Sequence, residues 1–299
     1  MKRIIALTVV LCLCMSLAGC NVLDYKKAMD HYEAGEYAEA LVLYQSLGDF
    51  ADSEKMADIC RQKAGYKEAE ALYAALDYHH ALPLYEGLGM YMDSPAKAVE
   101  CRYRIGLGYV EEGKYQEALN WLEPLGNYKQ SLEQVSLSKW LWLYEKTAEG
   151  LPLHHVNGGT VQLRANEDTT LSIHYEKEGF LLGVQYSHDF TMTFGWGDET
   201  GTYQAVYDSS SAGQIKEEAT GAFAIAAFDA AANLSLDSFT QTVVDPDGVE
   251  TISNESRDSL MMHGMLAEVK VALAEVIPAL LAQTELPVTA GDIGFTALT

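Results

Sequence analysis

Apolar residues recur at helical spacing in the first half of the chain and alternate at strand spacing in much of the second half. Between about 24 and 148 they fall three or four residues apart, which is typical of helices that bury one face. Beyond about 160, short runs such as Phe190–Trp196 alternate apolar and polar residues, which indicates half-buried antiparallel strands. We therefore expect a helical domain followed by a β-rich domain, with the change at 149–160.

The helical half contains three related segments. They align without gaps and are Gly35–Gly48, Leu76–Gly89 and Gly113–Gly126. Each ends at a glycine, which favours the end of a helix, and a serine suited to a helix N-cap follows shortly after. We expect two helices in each unit, with long first helices at about 53–76 and 94–112 and a capping helix at 131–148.

Small residues occupy equivalent positions in these units. They are Ala28, Ala69 and Gly106 on the first helices and Ala40, Ala81 and Ala118 on the second helices. In this respect the segment 20–149 resembles tetratricopeptide repeats, although its period is longer than the family's ~34 residues. The resemblance implies an α-solenoid that binds a peptide or a partner protein on a concave face.

Five tyrosines fall at the positions that line this concave face in the family. They are Tyr25, Tyr32, Tyr66, Tyr73 and Tyr103. Tyrosine combines a large apolar ring with a polar tip, which suits a binding surface. The alternative is that these rings pack between adjacent helices and touch no ligand, and the sequence leaves both open.

The first twenty residues have the pattern of an export signal. Two basic residues precede the apolar run Ile4–Met15, which is shorter than the ~20 residues that a membrane span needs. The next segment, Leu17–Cys20, resembles the lipobox of bacterial lipoproteins. The resemblance implies a signal peptide at 1–19 and a diacylglycerol thioether on Cys20, which would anchor the protein to the extracytoplasmic face of the cell membrane.

The formal net charge of −23 narrows the choice of partners. Nucleic-acid binding normally requires a basic surface that displaces counterions, so we expect no nucleic-acid partner. The expected partners are the lipid membrane, through acylated Cys20, and an unidentified envelope protein or peptide.

Cys60 and Cys101 occupy equivalent positions in adjacent units. Such positions are two helix layers apart, ~16–20 Å at 8–10 Å a layer. A disulfide requires Cα atoms within ~7 Å, so we predict two buried free thiols.

The second half, 150–299, is predicted to be an antiparallel sheet with a helix at about 256–283 across one face. Turns are expected at Ser187–Asp189, Gly197–Gly201 and Asp245–Gly248, and Pro278 is expected to kink the helix near its end. A last short strand is expected at Ile293–Phe295.

A helix lying on a sheet can leave a cup that suits an apolar small molecule. The methionines of the helix would be adaptable liners of such a cup, and they are Met261, Met262 and Met265. The simpler interpretation is that this apolar stripe is core. Binding of an apolar small ligand by the β-rich domain, as an accessory to envelope transport, is the alternative function.

Catalytic and metal-binding motifs are absent from the sequence. The adjacent histidine pairs His79–His80 and His154–His155 lack the three or four convergent ligands that a zinc site needs. We therefore expect no metal, no cofactor and no catalytic residue, and predict a non-enzymatic, membrane-anchored module that binds a protein or peptide.

Overall fold

The computed structural model describes residues 21–151, 153–156, 158–198, 200–210, 213–224, 238–254 and 259–283, together with 289 and 292. Helices precede an antiparallel sheet, which confirms the expected order of α structure followed by α+β structure. Cys20 and the strand expected at Ile293–Phe295 lie outside the described residues. In the described part of the chain, no helix is long and apolar enough to cross a membrane.

Contacts between Cα atoms divide the chain between Glu112 and Gly113 into two compact units. We call the first the helical unit and the second the sheet unit. The helices of the helical unit are α1 (21–33), α2 (Tyr37–Leu47), α3 (Ser53–Ala74), α4 (Tyr78–Leu88) and α5 (Ser94–Glu111).

Consecutive helices from α2 to α5 pack against one another. Small residues make this packing close, because an alanine at the contact lets two backbones approach. The small residues buried within the helical unit include Ala28, Ala40, Ala57, Ala69 and Ala81. The alanines that recur at equivalent positions in the sequence are therefore buried in the structure.

The turn after each second helix has the same backbone form in all three repeats. The terminal glycines are left-handed, as are the residues three positions later, namely Ala51, Met92 and Lys129. Each following helix begins at a fully buried serine, Ser53, Ser94 or Ser131. Since the backbone repeats with the sequence, the alignment of the three segments is also an alignment of local structure.

The expected capping by these serines is wrong. Asp52 and Asp93 occupy the cap positions, and no side-chain capping bond forms there. The Ser131 hydroxyl donates to the carbonyl of Tyr128 rather than accepting a helix N–H. Small serines fit the buried first position of the helix, while the aspartates are engaged by tyrosines.

Within its described residues, the sheet unit contains three α-helices and eight strands in sequential antiparallel order. The helices are α6 (Tyr115–Leu122), α7 (Ser131–Glu149) and α8 (Leu260–Gln283). The strands are β1 (His154–Val156), β2 (Gly159–Ala165), β3 (Leu171–Leu181), β4 (Val184–Phe194), β5 (Thr200–Ser210), β6 (Gln214–Ala224), β7 (Ser238–Val244) and β8 (Glu250–Ser253). Pro278 lies inside α8, which continues to Gln283.

Helix α7 shares a core with the sheet. Trp140 and Leu143 belong to the same buried cluster as strand residues and residues of α8, including Phe194 and Val269. The sequence prediction placed the domain boundary after residue 149, whereas the compact unit begins at Gly113. Helix α7 was expected to cap the helical repeats; it packs against α6 and also against β2.

The turn expected at Ser187–Asp189 is wrong, because these residues lie in the middle of β4. His188 pairs with Lys177 on one side and with Tyr207 on the other. The polar sequence resembles a turn, but its alternation continues that of the flanking strand and places His188 on the core side. The turn at Asp245–Gly248 is confirmed, and the Asp245 carboxylate accepts bonds from the backbone N–H groups of Asp247 and Val249.

A row of polar side chains crosses the core side of the sheet, one from each of five successive strands. In order across β3 to β7 they are Lys177, His188, Tyr207, Glu217 and Gln241. Ser259, just before α8, donates to Glu217 at 2.5 Å, and Glu268 of α8 accepts bonds from Lys177 and Tyr175.

The hydrogen bonds that Ser259 and Glu268 make with the sheet determine the direction in which α8 runs. From residue 259 to residue 268 a helix rises ~13 Å, at 1.5 Å a residue. The three strand spacings from β6 to β3 span ~14 Å. Because the lengths agree, α8 runs along the polar row and therefore across the strands.

Candidate functional site

Two of the five tyrosines predicted to bind a peptide form one repeated intramolecular arrangement. The Tyr25 hydroxyl donates to Asp52, and the Tyr66 hydroxyl donates to Asp93 at 2.5 Å. The hydrogen bond to Asp93, together with burial, raises the pKa of Tyr66 to about 12. Each of these hydrogen bonds therefore links the first helix of one repeat unit to the residue that precedes the first helix of the next unit.

The rings of the same two tyrosines are also packed. Tyr66 lies edge-to-face with Tyr85 at 6.1 Å and with Tyr91 at 5.8 Å between ring centroids. Tyr25 makes the equivalent contacts with Tyr44 and Phe50.

The other three tyrosines are engaged in different ways. Tyr32 and Tyr73 are half-buried and lie under the ammonium groups of Lys63 and Lys97, at 4.9 and 4.1 Å from the ring centroids. Tyr103 is buried. All five rings therefore contribute to the packing of the helical unit, and their binding role stays a prediction.

Tyr66→Phe is expected to lower the free energy of unfolding of the helical unit by about 1 kcal/mol. The substitution removes the hydroxyl that donates to Asp93 and keeps the ring contacts. Tyr73→Phe is the matched control, since no hydrogen bond of the Tyr73 hydroxyl is present among the described residues. Urea denaturation, followed by far-ultraviolet circular dichroism, measures the free energy of unfolding of both variants. Equal losses of stability in the two variants would contradict the structural role of the Tyr66 hydroxyl.

The helical unit has a cleft of about 460 Å³ between the α3–α4 turn and the C-terminal half of α5. The turn contributes Leu76 and Asp77, and the start of α4 contributes Tyr78 and His79. Helix α5 contributes Arg104, Ile105, Leu107, Gly108, Tyr109 and Glu111, with Glu112 just beyond it. The volume lies within the range of small-molecule and peptide-side-chain sites. None of the five predicted tyrosines lines this cleft.

Acidic groups dominate the charge of the cleft. Asp77, Glu111 and Glu112 line it, and hydrogen bonds from His80 hold the pKa of Asp77 below its usual range. Among the described lining residues the one Lys or Arg is Arg104, and it already donates to Glu100 at 2.8 Å. The cleft therefore favours a partner that carries an apolar group beside a basic one.

Leu76, at the rim of the cleft, has a backbone that leucine rarely adopts. Its φ is +62°, and its side chain is 69% exposed. The aligned residues of the other two repeats are Gly35 and Gly113, with φ of +76° and +71°. Glycine adopts this conformation freely, whereas a residue with a Cβ is strained by ~1–2 kcal/mol.

Leu76→Gly is expected to raise the free energy of unfolding of the helical unit by about 0.5–1 kcal/mol. The relief of strain exceeds the extra backbone entropy that glycine loses on folding, and an exposed side chain contributes little packing. Ala51→Gly, in the α2–α3 turn with φ of +53°, should give a gain of similar size. Urea denaturation compares the two variants, and a loss of stability in Leu76→Gly alone would mean that Leu76 packs as core.

The cysteine prediction is confirmed. Cys60 and Cys101 are free and fully buried. Burial raises the pKa of both thiols, that of Cys101 to about 11, so neither is a ready thiolate nucleophile. In the described part of the chain, no group of three His, Cys, Asp or Glu residues is placed to hold a metal ion.

Comparison of the chain with protein-family models, with curated proteins and with solved structures found no match.

Proposed function

We propose that this chain is a membrane-anchored, non-catalytic binding protein of the extracytoplasmic face. Its repeats form a tetratricopeptide-like solenoid, and the cleft rimmed by Leu76 captures a segment of an envelope protein or peptide. The captured segment carries an apolar side chain next to a basic one, because the lining combines Leu76, Tyr78 and Tyr109 with acidic groups.

The single observation that carries this proposal is Leu76. Strained backbone and an exposed large apolar side chain both cost stability, and a glycine occurs at the aligned position in the two other repeats. The turns of the repeats also hold left-handed residues at Ala51, Met92 and Lys129, but Leu76 differs from them because the residues aligned with it are glycines. Leu76 supplies an apolar contact at the mouth of the cleft that the glycines of the other repeats lack.

The tetratricopeptide-like solenoid is supported by the repetition of local structure. The same left-handed turn, buried serine and buried alanines recur in successive units. The packing of consecutive helices from α2 to α5 agrees with a stack of helix pairs.

Site-specific photo-crosslinking in living cells tests the capture. A photoreactive amino acid replaces Glu111, which lines the cleft, in the full-length protein. The matched control carries it at Val42, an exposed residue of α2 outside the cleft lining. We expect one reproducible protein adduct from position 111 that position 42 does not give. Identical adducts from both positions, or none from position 111, would contradict the proposal.

The lipid anchor has its own test. Cells fed an alkyne-tagged fatty acid should label the wild-type protein, and Cys20→Ser should abolish the label and release the protein from the membrane fraction. Two acyl chains give stable anchoring, so the change in fractionation should be nearly complete. Labelling that persists in Cys20→Ser would mean that the acyl chain is attached to another residue, which would contradict lipidation of Cys20.

A further inference from the structure

A second cleft, of about 190 Å³, lies in the sheet unit between α8 and the sheet. Its walls are apolar or aromatic at Leu181, Tyr186, Tyr207 and Met265. Leu181 belongs to the tip of the β3–β4 hairpin, where Phe180 and Leu182 are also largely exposed. Most of the cleft wall and the approach to the cleft are therefore apolar.

One end of this cleft is polar and incompletely satisfied. His188 is 7% exposed, and among the described residues its Nδ1 has no hydrogen-bond partner. Burial lowers the pKa of His188, which keeps the imidazole neutral near pH 7. A buried polar atom without a partner is costly, so a group that reaches it gains both the bond and the relief of that cost.

Glu268 of α8 has an oxygen that faces the same atom. Its Oε1 accepts hydrogen bonds from Lys177 and from the Tyr175 hydroxyl. Its Oε2 lies 3.6 Å from His188 Nδ1, which is too long for a hydrogen bond between them. A hydroxyl group has one hydrogen to donate and lone pairs to accept, so it can bridge the imidazole and the carboxylate.

Gly264 keeps the cleft open. It lies in the interior of α8, where glycine is unfavourable relative to alanine, and it lines the cleft. A Cβ built at this position would meet no atom within 4 Å. Nothing in the packing therefore requires glycine, whereas a larger side chain would occupy the space between α8 and the sheet.

We propose that this cleft binds a small neutral molecule with an apolar ring and one hydroxyl group. The ring lies against Tyr186, Tyr207 and Met265, and the hydroxyl bridges His188 Nδ1 and Glu268 Oε2. A cavity of ~150 Å³ in another protein holds benzene, so about 190 Å³ accommodates one ring with a short polar substituent. This site does not depend on the peptide cleft of the helical unit.

Methionine methyl NMR tests the site with benzyl alcohol as the probe. The sample is the chain from residue 20 to residue 299 with Cys20→Ser, so that no acyl chain competes for the cleft. We expect a saturable shift of the Met265 methyl signal on titration. Toluene, which lacks the hydroxyl, should bind at least tenfold more weakly because His188 and Glu268 then stay unbridged.

Three variants locate the binding. Gly264→Leu fills the cleft and should abolish the Met265 shift while raising the melting temperature, which shows that the fold is intact. His188→Phe should weaken benzyl alcohol at least tenfold, and His155→Phe, at an exposed position of β1, should change nothing.

Three results would overturn the proposal. The absence of a saturable shift of the Met265 methyl signal would show that the cleft does not bind the probe. Equal binding of toluene and benzyl alcohol would show that His188 and Glu268 do not recognise the hydroxyl group. A shift that survives in Gly264→Leu would place the probe elsewhere. None of these results bears on capture at the Leu76 cleft, so the two proposals fail separately.

Discussion

Trp140→Ala is expected to lower the free energy of unfolding of the sheet unit by about 3–5 kcal/mol. Trp140 is 2% exposed and lies edge-to-face with Phe194, at 5.8 Å between ring centroids. Removing the indole leaves a cavity between α7 and the sheet, because the neighbouring strands are fixed by their own hydrogen bonds. A change of this size is a large fraction of the ~5–15 kcal/mol that stabilises a typical domain.

Trp142→Ala is the matched control. It lies two residues further along α7, where it is half-buried and outside the buried cluster. We expect it to cost less than half as much. Urea denaturation, followed by the fluorescence of the remaining tryptophans, compares the two variants. Equal costs would mean that α7 does not share the core of the sheet.

Glu217→Ala is expected to lower the free energy of unfolding by about 2–3 kcal/mol. Glu217 is 1% exposed, and its two oxygens accept bonds from Gln241 at 2.8 Å and from Ser259 at 2.5 Å. Hydrogen bonds to charged groups contribute about 1.5–3 kcal/mol each, and removing a buried carboxylate returns part of its desolvation cost.

The loss should be concentrated at the start of α8. Ser259 accepts a bond from the backbone N–H of Met262, so it links Glu217 to the first turn of the helix. Amide hydrogen exchange in the first turns of α8 should quicken in Glu217→Ala. Glu218→Ala is the control, since Glu218 is exposed on the opposite face of the same strand. An unchanged exchange pattern in Glu217→Ala would contradict the attachment of α8 through this residue.

The repeats were predictable because their backbone turns are encoded locally. A glycine in left-handed conformation ends each second helix, and the small residues that sequence alignment brings together are buried. The order of helices and sheet was likewise readable from the change of hydrophobic period.

Other features of the fold depend on tertiary packing and could not be predicted from the sequence. Ser187–Asp189 resembles a turn, yet pairing with β3 and β5 keeps it in a strand. The helix expected at 131–148 as a cap of the repeats carries Trp140, and this side chain packs against the sheet. In both cases the deciding partner is distant in sequence, so no local pattern contains it.

The candidate sites show the same contrast between local patterns, which the sequence reveals, and tertiary contacts, which it does not reveal. The tyrosines were singled out by their position in the repeat, whereas nothing in the sequence singled out their partners Asp52 and Asp93. Leu76 was visible in the alignment as the one non-glycine at its position, but its exposure and the cleft beside it required the structure. His188 gave no signal, because its significance lies in its distance from Glu268 on another element.

The most direct test of the central claim is the yield of the photo-crosslinked adduct at position 111 in Leu76→Gly compared with Ala51→Gly. Both substitutions relieve left-handed strain, but only the first removes a side chain from the cleft. The account predicts that Leu76→Gly lowers the yield at least fivefold while Ala51→Gly leaves it unchanged. Equal yields in a stably folded Leu76→Gly protein would contradict the assignment of this cleft as the binding site.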